Sequence, residues 1–334
     1  MNYELCTMNY LNLKFPVSWQ DCSLSQLEQV ASVIIDVTDR TDRLHPFKME
    51  DVKISLFFLM SGIVIKEGPL QNDKGEEAYL VTHPDVDNPF LLELWKIKSW
   101  IEGTIDPDTI NDKEGPQKDI PGVFDWLDDM SHLGPILFPY DTLTLKKKHS
   151  MFPTKKTFVG VQPLMQDFTW QRYRLCIDWM EEYLRRENQR VKTLHRAKGC
   201  PRHSLSIVKA QQARRDMENA RADFLAMLVS GNADDRVYFL SISDVQWQVI
   251  LFWWSEMMHY LHLKYPRCFK ETPVKGTKKA NPFDLYTRTI ATMEKYLGLD
   301  EAKVNSQTYS LVLQHMEDMA KENEEVEKMK RKKK

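Results

Sequence analysis

The chain has 334 residues, of which 42% are hydrophobic and only 12 are glycine, and its formal net charge is −2. A hydrophobic share of this size excludes an intrinsically disordered chain. So few glycines disfavour an all-β design built on many tight turns, and they favour long helices.

The cysteine pattern and the apolar runs indicate a cytoplasmic protein that does not enter a membrane. The five cysteines are scattered and include no Cys-x-x-Cys pair, which argues against a disulfide framework and for a reducing compartment. The first residues lack a basic stretch followed by an apolar one, so no signal peptide is predicted. The longest apolar run, residues 54–65, is too short to span a bilayer.

Residues 1–133 are predicted to form a smaller, α+β N-terminal domain. Ser23 and Gln26 have the spacing of a capping box, which marks the start of a first helix. Apolar residues then recur at helical spacing. A second apolar segment, residues 52–65, reads as a buried helix or strand.

The rest of this N-terminal domain is predicted from short signals. Residues 78–82 have the composition of a strand and are expected to pair with residues 62–65. Pro89 suits the first turn of a helix that runs to Trp100. Residues 124–133 are expected to add a short helix.

The second half of the chain is predicted to be a C-terminal helical bundle. Residues 134–165 lack a sustained helical period and are predicted as a linker or irregular layer. The C-terminal domain spans residues 166–330 and begins with a long antiparallel hairpin, formed by helices over residues 169–198 and 204–229. Further helices are predicted over residues 245–263, 283–297 and 301–330. Residues 331–334 are a basic tail, and the fold class is mainly α.

Charge is distributed unevenly along the chain. Residues 76–142 contain 15 acidic and 4 basic residues, whereas residues 172–215 contain 12 basic and 4 acidic ones. The two regions can attract each other within one fold or remain solvated faces. Alternatively, the basic segment binds an acidic partner.

The common catalytic motifs are missing, and the metal-binding patterns that remain are incomplete. The sequence has no phosphate-binding glycine loop, no nucleophile elbow and no His-Glu-x-x-His pair. Glu256 and His259 lie three residues apart, with His262 one turn later, as in one half of a di-iron bundle site. No second Glu-x-x-His exists, so these residues are interpreted as the polar end of a core helix.

Two other clusters were weighed as sites. His195, Cys200 and His203 resemble part of a zinc site, which would need a fourth ligand such as Cys176. The simpler interpretation is a loop between two helices. The carboxylates of a second cluster would suit Mg²⁺ or acid–base catalysis, but such groups are common on solvated helices. That cluster consists of Asp125, Asp128 and Asp129. No cofactor, metal or catalytic residue is therefore predicted.

The basic helical hairpin, residues 172–215, is the predicted partner-binding surface. Its cations suit phosphate groups. However, residues 185–215 contain no aromatic side chain on which bases could stack, so a protein partner is favoured over nucleic acid. The partner-binding residues predicted here are Arg185, Arg186, Arg190, Lys192 and Arg196.

The C-terminal helix carries a second candidate surface. Met316 and Met319 belong to a loose apolar stripe that continues to Val326 and Met329. The stripe either packs onto the bundle or docks into a groove of a partner. Beyond Lys321 the helix is too polar to hold itself against the bundle.

Four segments resemble uncharacterised proteins of phage and prophage tail modules, of the tail-assembly-chaperone kind. They are residues 15–27 (FPVSWQDCSLSQL), 168–173 (FTWQRY), 222–228 (ADFLAML) and 304–322. The resemblance implies a non-enzymatic helical protein that handles a tail component, such as the tape measure, before assembly. A structural component of the virion and a nucleic-acid-binding module are the alternatives.

Overall fold

The structure confirms the predicted fold class, since it is mainly α with a smaller α+β part. The computed structural model describes residues 13, 15–40, 47–102, 122–129, 131–148, 154–201, 204–269, 290–295 and 298–332. Within these ranges, no helix is both long and apolar enough to cross a membrane.

The chain divides into two compact units. The first consists of residues 1–135 together with 244–256, and the second of residues 136–243 together with 257–334. Each unit therefore combines segments that are distant in sequence. The excursion of residues 244–256 into the first unit has no counterpart among the boundaries drawn from the sequence.

The first unit begins with helices α1 (Leu24–Arg40) and α2 (Met49–Ser61). The capping box is present as predicted: the Gln26 side chain accepts from the Ser23 N–H at 2.9 Å, and the Ser23 hydroxyl accepts from the Gln26 N–H at 3.3 Å. Helix α2 ends at Gly62, whose φ of 74° suits a residue without a Cβ.

A three-stranded antiparallel sheet follows, formed by β1 (Val64–Gln71), β2 (Glu77–His83) and β3 (Val86–Glu93) in sequential order. Val64 pairs with Thr82, as expected for the predicted strand. The tight connections between neighbouring strands make a simple meander.

The predicted start of the helix at Pro89 is wrong. Pro89 lies within β3, and helix α3 begins only at Leu94 and ends at Glu102. Because β3 is an edge strand, a proline without an N–H is tolerated there. The alternating burial of Phe90 and Leu92 reflects pairing with β2, which a local helical pattern cannot reveal.

The short helix predicted over residues 124–133 is also wrong. Among the residues of this range that the structure describes, the helical geometry is confined to a 3₁₀ turn, Asp125–Leu127. The Asp125 carboxylate accepts from the Gly122 N–H at 2.7 Å, which ties the turn to the residues before it. Such local side-chain bonds compete with helix formation.

The second unit is built on the long hairpin, which is present as predicted. Helix α4 (Trp170–Ala197) begins at Thr169, whose hydroxyl accepts from the Arg172 N–H at 3.2 Å. Helix α5 (Leu205–Leu225) runs back along it and continues as a π-helical turn, Ala226–Ser230.

The segment predicted as a linker or irregular layer contains a two-stranded hairpin. Strands β4 (Thr142–Lys146) and β5 (Lys155–Val159) pair antiparallel. Leu143 and Leu145 are buried, whereas the residues between and beside them are exposed. This two-residue period is that of a strand with one buried face, but it lasts only five residues.

The remaining helices complete the two units. They are α6 (Arg236–Phe239), α7 (Asp244–Lys264), α8 (residues 290–295), α9 (Glu301–Ser306) and α10 (Tyr309–Lys332). Helix α7 matches the predicted helix over residues 245–263. The other residues of the helix predicted over 283–297 lie outside the described ranges.

The helix predicted over residues 301–330 is broken in two. At the break, the Gln307 carbonyl accepts from the Trp170 N–H at 2.7 Å, and the Tyr309 N–H donates to the Phe168 carbonyl at 3.1 Å. These bonds to the start of α4 replace helical ones. A contact between residues so far apart in sequence leaves no local signal.

Two leucines on α2 provide a test of the core of the first unit. Leu56 is fully buried, whereas Leu59 is 47% exposed on the same helix. Leu56→Ala should lower the free energy of unfolding by about 2–5 kcal/mol, because it removes buried apolar surface and leaves a cavity. Leu59→Ala should lower the free energy of unfolding by about 0.5 kcal/mol or less. Urea denaturation followed by tryptophan fluorescence measures both, and equal losses would contradict this assignment of the core.

Candidate protein-binding surface on the helical hairpin

The base of the hairpin is fixed by one arginine. Arg172 of α4 donates from Nε to the Met227 carbonyl and from one terminal nitrogen to the Leu228 carbonyl, both at 2.9 Å. Its guanidinium lies 4.0 Å from the centre of the Phe168 ring. These bonds satisfy carbonyls in the π-helical turn at the end of α5 and hold the two helices together there.

The first three predicted binding residues are engaged in ion pairs within α4. Arg185 and Arg186 both donate to the Glu182 carboxylate, with contacts of 2.6–2.7 Å, and Arg190 donates to Glu187 at 2.6 Å. The hydrogen bonds from Arg185, together with those from Arg186, lower the pKa of Glu182 to about 2. Arg186 also lies 3.4 Å from the Asp216 carboxylate of α5, so the charges of these arginines are largely balanced within the hairpin.

The cations nearer the end of the hairpin are different. Lys192, Arg196 and Lys198 are exposed, and none of them forms an ion pair with any residue that the structure describes. The loop that follows leads into α5 at Leu205. The end of the hairpin therefore carries positive charge that nothing in the described chain balances.

Aliphatic side chains are also exposed on α4. Leu184, Val191 and Leu194 are 51%, 51% and 48% exposed, and we call these three residues the α4 stripe. Their spacings of seven and three residues place them along one side of the helix. At the same end of the hairpin, Leu205 and Val208 of α5 are also exposed.

The α4 stripe was not identified as a surface from the sequence. Leu184 continues the helical spacing of Tyr173 and Met180, and both of these are buried against the rest of the second unit. Spacing alone therefore does not distinguish Leu184 from these buried residues. One signal of exposure was present in the sequence. The apolar spacing continues to Val191 through a segment in which most other residues are charged, and a helix with so many charges is exposed on most of its sides.

The second predicted surface, on α10, is only partly exposed. Met316 and Met319 are half-buried beside the buried Val312 and Leu313. Beyond Lys321 most side chains of the helix are exposed. These include Val326 and Met329.

The candidate metal site at Glu256 has a structural explanation. The Glu256 carboxylate is 3% exposed and accepts from the Leu133 N–H at 2.6 Å, and His132 Nδ1 lies 3.0 Å from its other oxygen. The imidazole ring of His262 stacks on the ring of Phe269, with 4.3 Å between the ring centroids. Among the described residues, no three His, Cys, Asp or Glu side chains cluster closely enough to hold a metal ion.

The candidate zinc ligands are not brought together. Cys176 is buried in α4, and burial raises the pKa of its thiol to about 12. It lies 21 residues before Ala197 at the end of the helix, which is roughly 30 Å at 1.5 Å per residue. Cys176 therefore cannot join Cys200 beyond that end, and His203 lies outside the described residues.

The acidic cluster is held by a lysine. The Lys53 ammonium lies 2.5 Å from Asp128 and 3.8 Å from Asp125, and its side chain is almost fully buried. Asp129 accepts from the N–H and the hydroxyl of Ser131. Each carboxylate thus has a partner within the fold, and a buried charge such as that of Lys53 requires one.

The hairpin is thus one of the places in the described chain where exposed apolar and charged groups occur on the same element. Comparisons of this chain with protein-family models, with curated proteins and with solved structures found no match.

The His132–Glu256 pair predicts a pH-dependent contribution to stability. The hydrogen bond to Glu256 raises the pKa of His132 above its ordinary value of 6.5. The stabilisation is therefore fully present below pH 6.5 and is lost as the pH rises through the folded-state pKa. His132→Gln should destabilise the protein more at pH 5.5 than at pH 9, as measured by urea denaturation. In a Glu256→Gln background this difference should vanish, and its persistence would contradict the assignment.

Proposed function

We propose that this chain is a non-enzymatic protein-binding protein of phage tail assembly, which handles a tail component such as the tape measure before assembly. The observation that carries the binding role is the α4 stripe, three half-exposed aliphatic side chains along one side of the helix. The tail setting is supported by the resemblance of the four segments described above.

The size of the stripe favours reversible binding. Full burial of one large aliphatic side chain contributes about 1.5–3 kcal/mol, so covering the exposed halves of three contributes roughly 3 kcal/mol. A micromolar complex requires about 8 kcal/mol. The stripe can therefore be the centre of a modest, releasable interface. A chaperone that releases its client needs such an interface, whereas permanent interfaces are larger and more hydrophobic.

Nucleic acid is the weaker alternative. Lys192, Arg196 and Lys198 could each contact a phosphate. However, the exposed aliphatic side chains of the α4 stripe lie on the same helix, and a phosphate backbone offers them no apolar surface. A protein partner uses both kinds of group at once.

Affinity purification of the tagged full chain from its native host tests this proposal. Mass spectrometry should identify a tail protein, the tape measure in particular, in the purified material. Val191→Glu should lower its recovery at least tenfold, because the substitution places a charge in the apolar centre of the interface.

The control is Leu263→Glu, since Leu263 is 69% exposed on α7 and lies outside the hairpin. It should leave recovery unchanged. The proposal is wrong if the wild-type chain recovers nucleic acid or no tail protein, or if Val191→Glu recovers as much as the control does.

A further inference from the structure

A cavity opens in the second unit where the end of strand β4 meets helices α5 and α6. Its volume is about 480 Å³, which lies within the range of sites that hold small organic molecules. All of the residues that line it belong to the same unit. They are Lys148, which follows β4, Arg215, Glu218 and Asn219 of α5, and Leu240, which follows α6.

The fold brings the two cations of this cavity together from different elements. The Lys148 N–H donates to the Val237 carbonyl of α6 at 3.1 Å, which holds the chain after β4 beside that helix. On α5, Glu218 and Asn219 follow Arg215 by three and four residues, so these three residues lie on one face of the helix. The cavity therefore has a fixed wall on each side.

The carboxylates near the cavity are engaged with other cations. Each of the three carboxylates of α5 lies within 3.4 Å of an arginine other than Arg215. The pairs are Asp216 with Arg186, Glu218 with Arg214, and Asp223 with Arg236. Strands β4 and β5 contain no acidic residue. Neither Lys148 nor Arg215 forms an ion pair with any residue that the structure describes, so two positive charges at the cavity are left unbalanced there.

Strand pairing adds to this excess of positive charge. Lys146 of β4 lies directly opposite Lys155 of β5, and both side chains are exposed. Like charges opposite each other on neighbouring strands destabilise a sheet. Because Lys146 is only two residues from Lys148, an anion in the cavity lowers this repulsion.

The lining favours a phosphate monoester that also carries hydroxyl groups. A phosphate monoester has a charge of about −1.5 to −2 at pH 7, which matches two cations better than the single charge of a carboxylate does. Arginine binds phosphate through two donors at once, and lysine adds a point charge. Glu218 accepts from Arg214 through one oxygen, so its other oxygen can accept from a hydroxyl group, as can the Asn219 amide.

The same lining disfavours a nucleic-acid strand. A strand that placed one phosphate against Lys148 and Arg215 would bring its neighbouring phosphates towards the rest of the wall. The Glu218 carboxylate lies in that wall and repels a second phosphate. A molecule with one phosphate avoids this repulsion.

We infer that this cavity binds a small hydroxylated phosphate monoester, the chemistry shared by sugar phosphates and mononucleotides. The phosphate lies against Lys148 and Arg215, and the hydroxyl groups lie against Glu218 and Asn219. Leu240 contacts the carbon skeleton. This inference does not depend on the proposed function, because none of these residues belongs to the α4 stripe.

Isothermal titration calorimetry of the full chain tests the inference with three probes: glycerol 3-phosphate, ribose 5-phosphate and adenosine 5′-monophosphate. At least one should bind with a Kd below about 1 mM. It should bind at least tenfold more tightly than inorganic phosphate and than the same compound without its phosphate. The comparison of ribose 5-phosphate with the nucleotide separates the two sources of this chemistry.

Substitutions in the lining should change binding in different ways. Arg215→Gln and Lys148→Gln should each lower the affinity of that probe at least tenfold, because each removes one of the two charges. Glu218→Ala should instead reduce the preference over inorganic phosphate, because it removes an acceptor for hydroxyl groups. The control is Lys209→Gln, which removes an exposed cation of α5 outside the lining and should leave the affinity unchanged.

Four results would overturn the inference. They are no binding of any probe, inorganic phosphate binding as tightly as the best probe, a short oligothymidylate binding more tightly than all three probes, and equal losses of affinity in Lys209→Gln and Arg215→Gln. Both side chains are exposed, so these two variants should fold alike, which circular dichroism checks.

Discussion

Ion pairs within the hairpin engage the arginines in the middle of α4 and leave out the cations at its end. The carboxylates of Glu182 and Glu187, together with Asp216 of α5, pair with the three arginines in the middle of the helix. No comparable carboxylate follows Glu187, so the last cations of α4 remain exposed and unbalanced in the described chain. One helix thus changes along its length from ion-paired arginines to cations that form no ion pair with the described residues.

The base of the hairpin is held firmly, which leaves its far end free for binding. Arg172 bonds to the carbonyls at the end of α5, and the Tyr309 hydroxyl donates to the Leu164 carbonyl at 2.6 Å. Main-chain bonds from the start of α4 to the break between α9 and α10 add to this. A rigid base means that a partner does not have to order the helix on which it binds, which lowers the entropic cost of binding.

Local signals in the sequence predicted the helices, and long-range contacts explain the failures. Thr169 and Gly231 mark the ends of the hairpin by chemistry that acts within a few residues. The prediction that a helix starts at Pro89 failed because pairing between strands overrides a local preference for helix starts. The candidate surface was predictable only in part. The positions of the cations could be read from the sequence, but the exposure of Leu184 depends on where the core ends. Spacing gives the face of a helix, and only the packed fold gives how far along that face the core extends.

Hydrogen–deuterium exchange of the complex recovered from the host tests the central claim most directly, because it asks where the partner binds without changing any residue. The amides of α4 that exchange in the free chain should be protected by the partner over residues 184–198, and those of α10 beyond Lys321 should exchange as in the free chain. Protection confined to α10 or to the first unit, with residues 184–198 unchanged, would contradict the assignment of the hairpin as the binding surface.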